Sequence, residues 1–473
     1  MIADIKPYPA MRISGVEWLG EVPQHWDVLP LKYWLGMNRA VLPETTDSDF
    51  EFQYLDIGSV GTGVVSEEPQ RIRFADAPSR ARRVVRDGDT IVSTVRTYLK
   101  AVWSAEKTDG DLICSTGFAV LSPREGTLPR FVSYLARSRS FTDGVTAASV
   151  GIAYPAIAES QLGALRFSVP PLPEQAAIVR YLDYVDRRVR RLVGGKRKLI
   201  ALLTEQKQAI IHRAVTRGLD PDVPLKDSGV EWLGDMPDHW DVLPGRACVY
   251  EKQESNVGMV EDTVLSLSYG RIIVKQKEKL RGLVPDSFET YQVVDPGDII
   301  CRPTDLQNDR TSLRFGISRD RGIITSAYIC FGAQEQVDGR FGHLLFHAYD
   351  LKKVFYGLGS GLRQNLSWED FKYLPCVTPP LPEQVAIVRF LERATAEIGT
   401  AVSRTQREID LLTEYRTRLI ADVVTGKLDV REAAAALPEV DPLDTEQDLV
   451  GSLDPDTETT PEDLDALPEV VDA

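Results

Sequence analysis

Apolar positions along this chain follow two different periods. From Ile178 the spacing is that of a helical seam: Ile178, Val185, Leu192 and Leu199 stand seven apart, and so do Leu182, Val189, Lys196, Leu203 and Ile210. Alternating four-three spacing predicts a coiled-coil face. A second run predicts the same through Ile387, Leu391, Ala394, Ile398, Ala401, Leu412 and Leu419, where small residues at 394 and 401 facing large ones suggest mutual packing. Pro173 and Pro382 suit a first helical turn, where a missing N–H costs nothing, and Glu174 and Glu383 favour the positive end of the helix dipole. From about Gln175 to Thr216 the first rod would be ~60 Å long at 1.5 Å per residue. Gly194-Gly195 predicts a bend or short break in it, each glycine costing about 1 kcal/mol relative to alanine.

Before each helical run lies a stretch of shorter, strand-like character. Phe52 to Ile57, Thr90 to Val95 and Leu112 to Leu121 carry it in the first stretch, and Val264 to Ser268, Asp298 to Cys301 and Gly322 to Phe331 in the second. Gly and Pro punctuation between them predicts mixed α/β domains.

The chain is also written twice. SGVEWLGEVPQHWDVLP (Ser14 to Pro30) returns as SGVEWLGDMPDHWDVLP (Ser228 to Pro244), and PPLPEQAAIVR (Pro170 to Arg180) as PPLPEQVAIVR (Pro379 to Arg389). The second pair lies 209 residues apart, an offset that also superposes Gly88-Asp89 on Gly297-Asp298, Leu202 to Glu205 on Leu411 to Glu414, and Val215-Thr216 on Val424-Thr425. Both ends of the unit repeat; its middle diverges. The duplicated Trp18 and Trp26, with Trp232 and Trp240, read as packing anchors, because base-stacking platforms for two different targets would have to differ.

The repeated motifs, in this order and around two divergent middles, resemble the specificity subunit of Type I restriction-modification systems over about residues 12 to 430. The resemblance implies a mixed α/β fold class: two globular target recognition domains separated by two long helices packed as an antiparallel coiled coil, with a pseudo-twofold internal repeat. It implies an opening segment at 1–26, target recognition domains at 27–170 and 241–379, spacer helices at 171–220 and 380–430, and a repeated opening segment at 221–240; composition, rich in Pro, Thr, Asp and Glu with few aromatics, predicts an acidic disordered tail at 431–473. Each domain would read half of a bipartite double-stranded DNA site, and the helices would dock methyltransferase (modification) subunits, two of them, alongside restriction/translocase subunits. S-adenosylmethionine, ATP and Mg²⁺ are then expected in those partners, with no cofactor or metal bound by this chain. The alternative is a duplicated protein-interaction scaffold without DNA contact.

Charge sharpens this picture only when taken locally. Of the overall −15, residues 431–473 carry −13, which leaves −2 for the other 430 residues. The first spacer, 175–217, holds eleven Lys or Arg against three acids, whereas 384–426 balances six against six. A basic rod could follow the phosphates of unread DNA or meet an acidic partner. Base reading needs Arg, Lys, Asn or Gln at base edges. The candidates are Arg71, Arg73, Arg80, Arg82, Arg83, Arg96 and Lys100 in the first domain, and Lys275, Lys277, Arg302, Gln307, Asn308, Arg310 and Arg314 in the second. Arg363, Gln364 and Asn365 add to the second set, in a polar Gly-rich stretch (Gly359 to Ser367) that resembles a family loop; its counterpart, Ser149 to Ala158, has lost the Arg-Gln-Asn.

No catalytic centre is expected. The chain has no phosphate-binding Gly-Lys-Ser/Thr loop and no Pro-Pro-Tyr or Pro-Pro-Phe of the amino-methyltransferase type. Glu205-Gln206-Lys207 has a nuclease-like shape but falls on the periodic helix, and His343 and His347 read as core histidines. Five scattered cysteines fit neither a disulfide framework nor a zinc site, and Met1 to Ala10 has no export signal, so a cytoplasmic protein is expected.

Overall fold

A computed structural model describes residues 5–438 apart from 107, 109–110, 152–153, 269, 276–286, 310–312 and 360–363. The chain divides into two compact units, and each draws on both long helices. The first holds the described residues up to Gly195 and those from Glu408 onward; the second is Lys196–Arg407. The helices themselves are Leu172–Arg217 and Leu381–Val424. In the first unit Arg431, just past the second helix, reaches to 3.7 Å from Glu174 at the start of the first. In the second unit Gly218, which ends the first helix at φ +75°, sits where a Cβ would lie 3.3 Å from Glu383 of the second. The start of each helix therefore lies beside the end of the other, and the pair is antiparallel.

The first helix runs unbroken through Gly194 and Gly195, contrary to the expected break. A Cβ at either would meet nothing within 4 Å, so both face open space. A propensity cost of about 1 kcal/mol each does not outweigh packing on either side of them.

The seam starts as the period predicts and then slips. Ile178, Leu182, Val185 and Val189 are buried, but Val193 and Ile200 follow, while Leu192 and Leu199 are 53% and 46% exposed. In the second helix Thr395 and Val402 are buried in place of Ala394 and Ala401. Each helix takes two successive four-residue steps (185, 189, 193 and 387, 391, 395). Such an insertion relaxes the supercoil and moves the buried stripe by one position.

Each unit carries a four-stranded antiparallel sheet of one order. In the first it runs Leu35–Met37, Phe118–Pro123, Thr90–Ser93, Val102–Ser104; in the second Val249–Lys252, Ile329–Ala333, Ile299–Cys301, Phe315–Ile317. Two of the expected strand runs are each split in two. Leu112–Ser115 and Phe118–Pro123 are separate strands in different sheets, and Gly322–Ile324 and Ile329–Ala333 likewise. The repeated Gly-Asp turn has a clear role: Gly88 and Gly297 take φ +83° and +95°, and the following Asp89 and Asp298 accept from the backbone N–H of Arg86 and Asp295 at 2.9 and 2.8 Å.

The repeated PPLPEQ motif locks each domain to its helix. Gln175 and Gln384 are buried and fully satisfied. Gln175 Oε1 accepts from Leu128 N at 2.8 Å and its Nε2 donates to Gly126 O and Pro170 O; Gln384 repeats this with Asp338 N, Gln336 O and Pro379 O. A second clamp is also duplicated: Arg130 pairs with Asp183 at 2.9 Å and Arg340 with Glu392 at 3.4 Å, each joining a domain helix to a spacer helix. Trp26 and Trp240 are fully buried anchors, as expected, and Trp18 and Trp232 pack on Phe167 and Tyr349.

His343 and His347 lie buried on the helix Gly339–Leu351, as core histidines. Burial pushes their imidazoles down to about 4 and about 3. The acidic C-terminal segment is ordered further than expected, since Arg431–Ala435 is helical and Ala434 is buried. The tail beyond 438 lies outside the described residues.

Candidate nucleic-acid interface

The two units share a turn of unusual backbone at the end of a core strand. In the first unit, after Thr90–Ser93, Arg96 takes the left-handed conformation (φ 51°, ψ 47°), Thr97–Leu99 forms a 3-10 turn, and Lys100 is left-handed again at φ 51°. In the second, after Ile299–Cys301, Asp305 takes φ +61° at the position that the 209-residue offset pairs with Arg96. A left-handed side-chain-bearing residue costs about 1 kcal/mol or more, and such strain gathers at functional sites.

In both units a second segment braces this turn through the same bond. Ile157 N donates to Thr94 O at 2.9 Å in the first, and Leu366 N to Pro303 O at 2.8 Å in the second. Thr97 N further donates to Pro155 O, and Asp305 N to Asn365 Oδ1 at 3.0 Å. The braced turn presents different side chains in each unit. On the first, Tyr98, Leu99 and Tyr154 are 53%, 49% and 68% exposed, and the Arg96 guanidinium lies 5.2 Å over the Tyr154 ring. On the second, Gln307, Asn308, Gln364 and Asn365 are exposed, and Asn308 Nδ2 donates to Asp305 Oδ1 at 2.8 Å.

The structure thus brings Arg96 and Lys100 onto one turn, and Gln307, Asn308, Gln364 and Asn365 onto its counterpart, with Arg302 at the base of the latter. Lys100 is paired with Asp143 at 2.7 Å and Arg302 with Asp309 at 3.3 Å. The other candidate cations of the first domain, Arg71, Arg73, Arg80, Arg82 and Arg83, are elsewhere, in and beside the strands Gln70–Arg73 and Ala81–Val85. There Arg71 pairs with Glu51 and Asp111, Arg73 with Asp76, and Arg80 with Asp56 at 3.2 Å. Arg82 lies over the Phe74 ring at 4.8 Å, and Arg83 donates to Phe118 O, with burial lowering its pKa. Lys275 is exposed beside the paired strands Leu265–Ser268 and Arg271–Val274.

Arg314 is a correction. Its side chain is fully buried, with its guanidinium donating to Thr304 O at 2.8 Å, to Arg302 O and to Asp309 O, and with its own N–H bonded to Asp350. It holds the turn of residues 302–309 from behind and cannot meet a ligand. Lys277, Arg310 and Arg363 lie outside the described residues.

Tyr98, Leu99 and Tyr154 carry neither cation nor amide, so side-chain type in the sequence does not single them out. The offset of 209 was the available signal: it sets Tyr98-Leu99 against Gln307-Asn308. Among the described residues no group of His, Cys, Asp or Glu is placed to hold a metal ion, and no helix is long and apolar enough to cross a membrane.

Comparison with known proteins defines the class. Residues 84–200 match the family model described as Type I restriction modification DNA specificity domain. A curated relative from Methanocaldococcus jannaschii, provisionally described as the type I restriction enzyme MjaX specificity subunit, is 21% identical over 87% of this chain and 96% of its own length. A solved chain described under complex assembly and conformational transition of the type I R-M system shares the fold at a TM-score of 0.63. It is 21% identical and covers 86% of this chain and 99% of that one. The HsdS subunit from Thermoanaerobacter tengcongensis is 22% identical over 86% of this chain and 98% of its own, with a TM-score of 0.44. The stretch 84–200 is therefore a type I restriction modification DNA specificity domain, and most of the chain shares its fold with a solved chain of a type I R-M system.

Proposed function

We propose that this chain reads DNA as the non-catalytic specificity subunit of a type I restriction-modification complex, each unit taking half of a bipartite double-stranded site. The braced turn carries this reading. One left-handed position and one bracing hydrogen bond are built twice and dressed with different side chains, as two readers of different half-sites require, whereas a scaffold binding two copies of one partner would repeat the side chains. The turns supply base-edge groups, while the strand-borne arginines, mostly paired with carboxylates, add little charge toward the phosphates.

The helices dock the methyltransferase subunits, two of them, and restriction/translocase subunits complete the complex. S-adenosylmethionine, ATP and Mg²⁺ belong to those partners. The assembled complex should bind random-sequence duplex with an affinity that falls steeply with salt, as release of phosphate counterions demands. Binding that salt leaves unchanged, or no binding, would favour the scaffold.

A further inference from the structure

The two turns share a left-handed position and a bracing hydrogen bond but not a chemistry. The first offers a guanidinium, two phenol rings and a leucine at Arg96, Tyr98, Tyr154 and Leu99. At the matching backbone positions the second offers Asp305, Gln307 and Asn308. Asp305 organises its own turn: its carboxylate accepts from Asn308 Nδ2 and its N–H donates to Asn365 Oδ1.

Base edges in the major groove discriminate among these groups. A guanidinium presents two parallel donors, which fit the N7 and O6 acceptors of guanine, while an amide presents one donor and one acceptor, which fit adenine N7 and N6–H. Aromatic and aliphatic side chains favour the thymine methyl. Where Arg96 stands in the first turn, the second has the carboxylate of Asp305. An acceptor there repels guanine's paired acceptors and the phosphates, which is discrimination by exclusion.

We infer that the two turns read different base-pair chemistries. The second unit takes an adenine through Gln307, with Asn308 held beside it by Asp305. The first takes a guanine through Arg96, with Tyr98 and Leu99 against a neighbouring thymine methyl. This rests on the DNA-reading function above and adds which bases each unit accepts.

The test is selection from random duplexes by the full-length chain assembled with its modification subunits, as wild type, Gln307→Arg and Arg96→Gln. Both side chains are exposed, so folding should survive, and thermal unfolding checks this. In the Gln307→Arg complex one A·T pair of one half-site should change to G·C, by roughly tenfold to a hundredfold, as a bidentate contact of 1–3 kcal/mol implies. The other half-site should be unaltered. Arg96→Gln should loosen a guanine in that other half-site by a similar factor. A change at a pair that is not A·T in the first case, or not G·C in the second, overturns the assignment of bases. If both variants select the wild-type site, the turns are not the reading surface, although DNA reading stands. If the wild-type complex selects no sequence, the DNA-reading function itself fails.

Discussion

The joint between domain and helices is built from the same residues in both units, yet it is closed differently. In the first unit Glu174 accepts from Tyr8 Oη at 2.9 Å, His25 Nε2 at 2.6 Å and Trp26 Nε1 at 2.9 Å, with Arg431 nearby. Burial raises the carboxyl pKa, but these hydrogen bonds outweigh it, so the net shift is downward. In the second, Glu383 has His239 at 2.8 Å, and the Trp240 indole N–H finds no partner among the described residues. The cause lies in connectivity. One continuous stretch, from Gly218 to the strand Leu225–Asp227, crosses the second joint. At the first joint two separate segments meet, and they are tied by a backbone bridge in which Asp429 N–H donates to Lys6 O at 2.9 Å and by Arg431, whose guanidinium lies 5.0 Å over the Tyr8 ring. Non-covalent contacts do at one joint what a covalent chain does at the other.

A similar exchange occurs along the seam. Asp186 and Arg416 form a mostly buried ion pair in the first unit; the offset maps them onto Thr395 and Lys207 in the second. Lys207 is buried there, and its charge helps to lower the pKa of His347.

The largest contrast should appear with acid. His343 and His347 are held neutral in the folded second unit, whereas the unfolded chain takes up protons near pH 6.5. Stability is therefore fully present above that value and declines as pH falls toward about 4. At pH 5 the second unit should have lost about 4 kcal/mol from these two groups. The first unit contains neither of these buried histidines, so this loss falls on the second unit alone. Hydrogen exchange at pH 7 and pH 5 would show it, and equal loss of protection in both units would erase the contrast.

Next in size is the joint. Glu174→Ala removes the acceptor of three donors and should cost about 3 kcal/mol. Glu383→Ala breaks one partly exposed pair and should cost about 1 kcal/mol or less. Chemical unfolding of both variants measures the difference, and equal costs would mean that connectivity does not set how each joint is held.

The smallest effect concerns charge. Arg71→Ala and Arg80→Ala remove cations already paired with carboxylates, so duplex affinity should fall by less than about threefold, roughly one phosphate contact. The selected sequence should stay the same. A changed half-site in either variant would move base reading from the turn to the strands.

Much of this architecture was legible in the sequence, because repeats and helical periodicity are local properties. The helices, their starts at Leu172 and Leu381, the Gly-Asp turns and the packing of Trp26 and Trp240 follow from pattern and duplication. What depended on neighbours distant in sequence was not legible. Gln175 and Gln384 look like polar surface in a helical pattern, but each is buried because a loop about 50 residues upstream needs its amide. The slip of burial from Leu192 to Val193 follows a four-residue step from Val189 that a strict seven-residue spacing does not anticipate, and Arg314 reads as a ligand group only because its carbonyl acceptors are invisible in sequence. At the turns, the offset aligns positions whose backbone the structure shows to be related, while side-chain type alone points also to arginines of the strands that are paired with carboxylates.

The central claim is that each unit reads its own half of the site. Replacing residues 241–378 with the matching region of a relative of different specificity, followed by mapping of methylated sites in cells carrying the assembled system, tests it most directly. The account predicts one changed half-site, with the other half unchanged. Two changed halves, or an unchanged site in a folded and active hybrid, would contradict it.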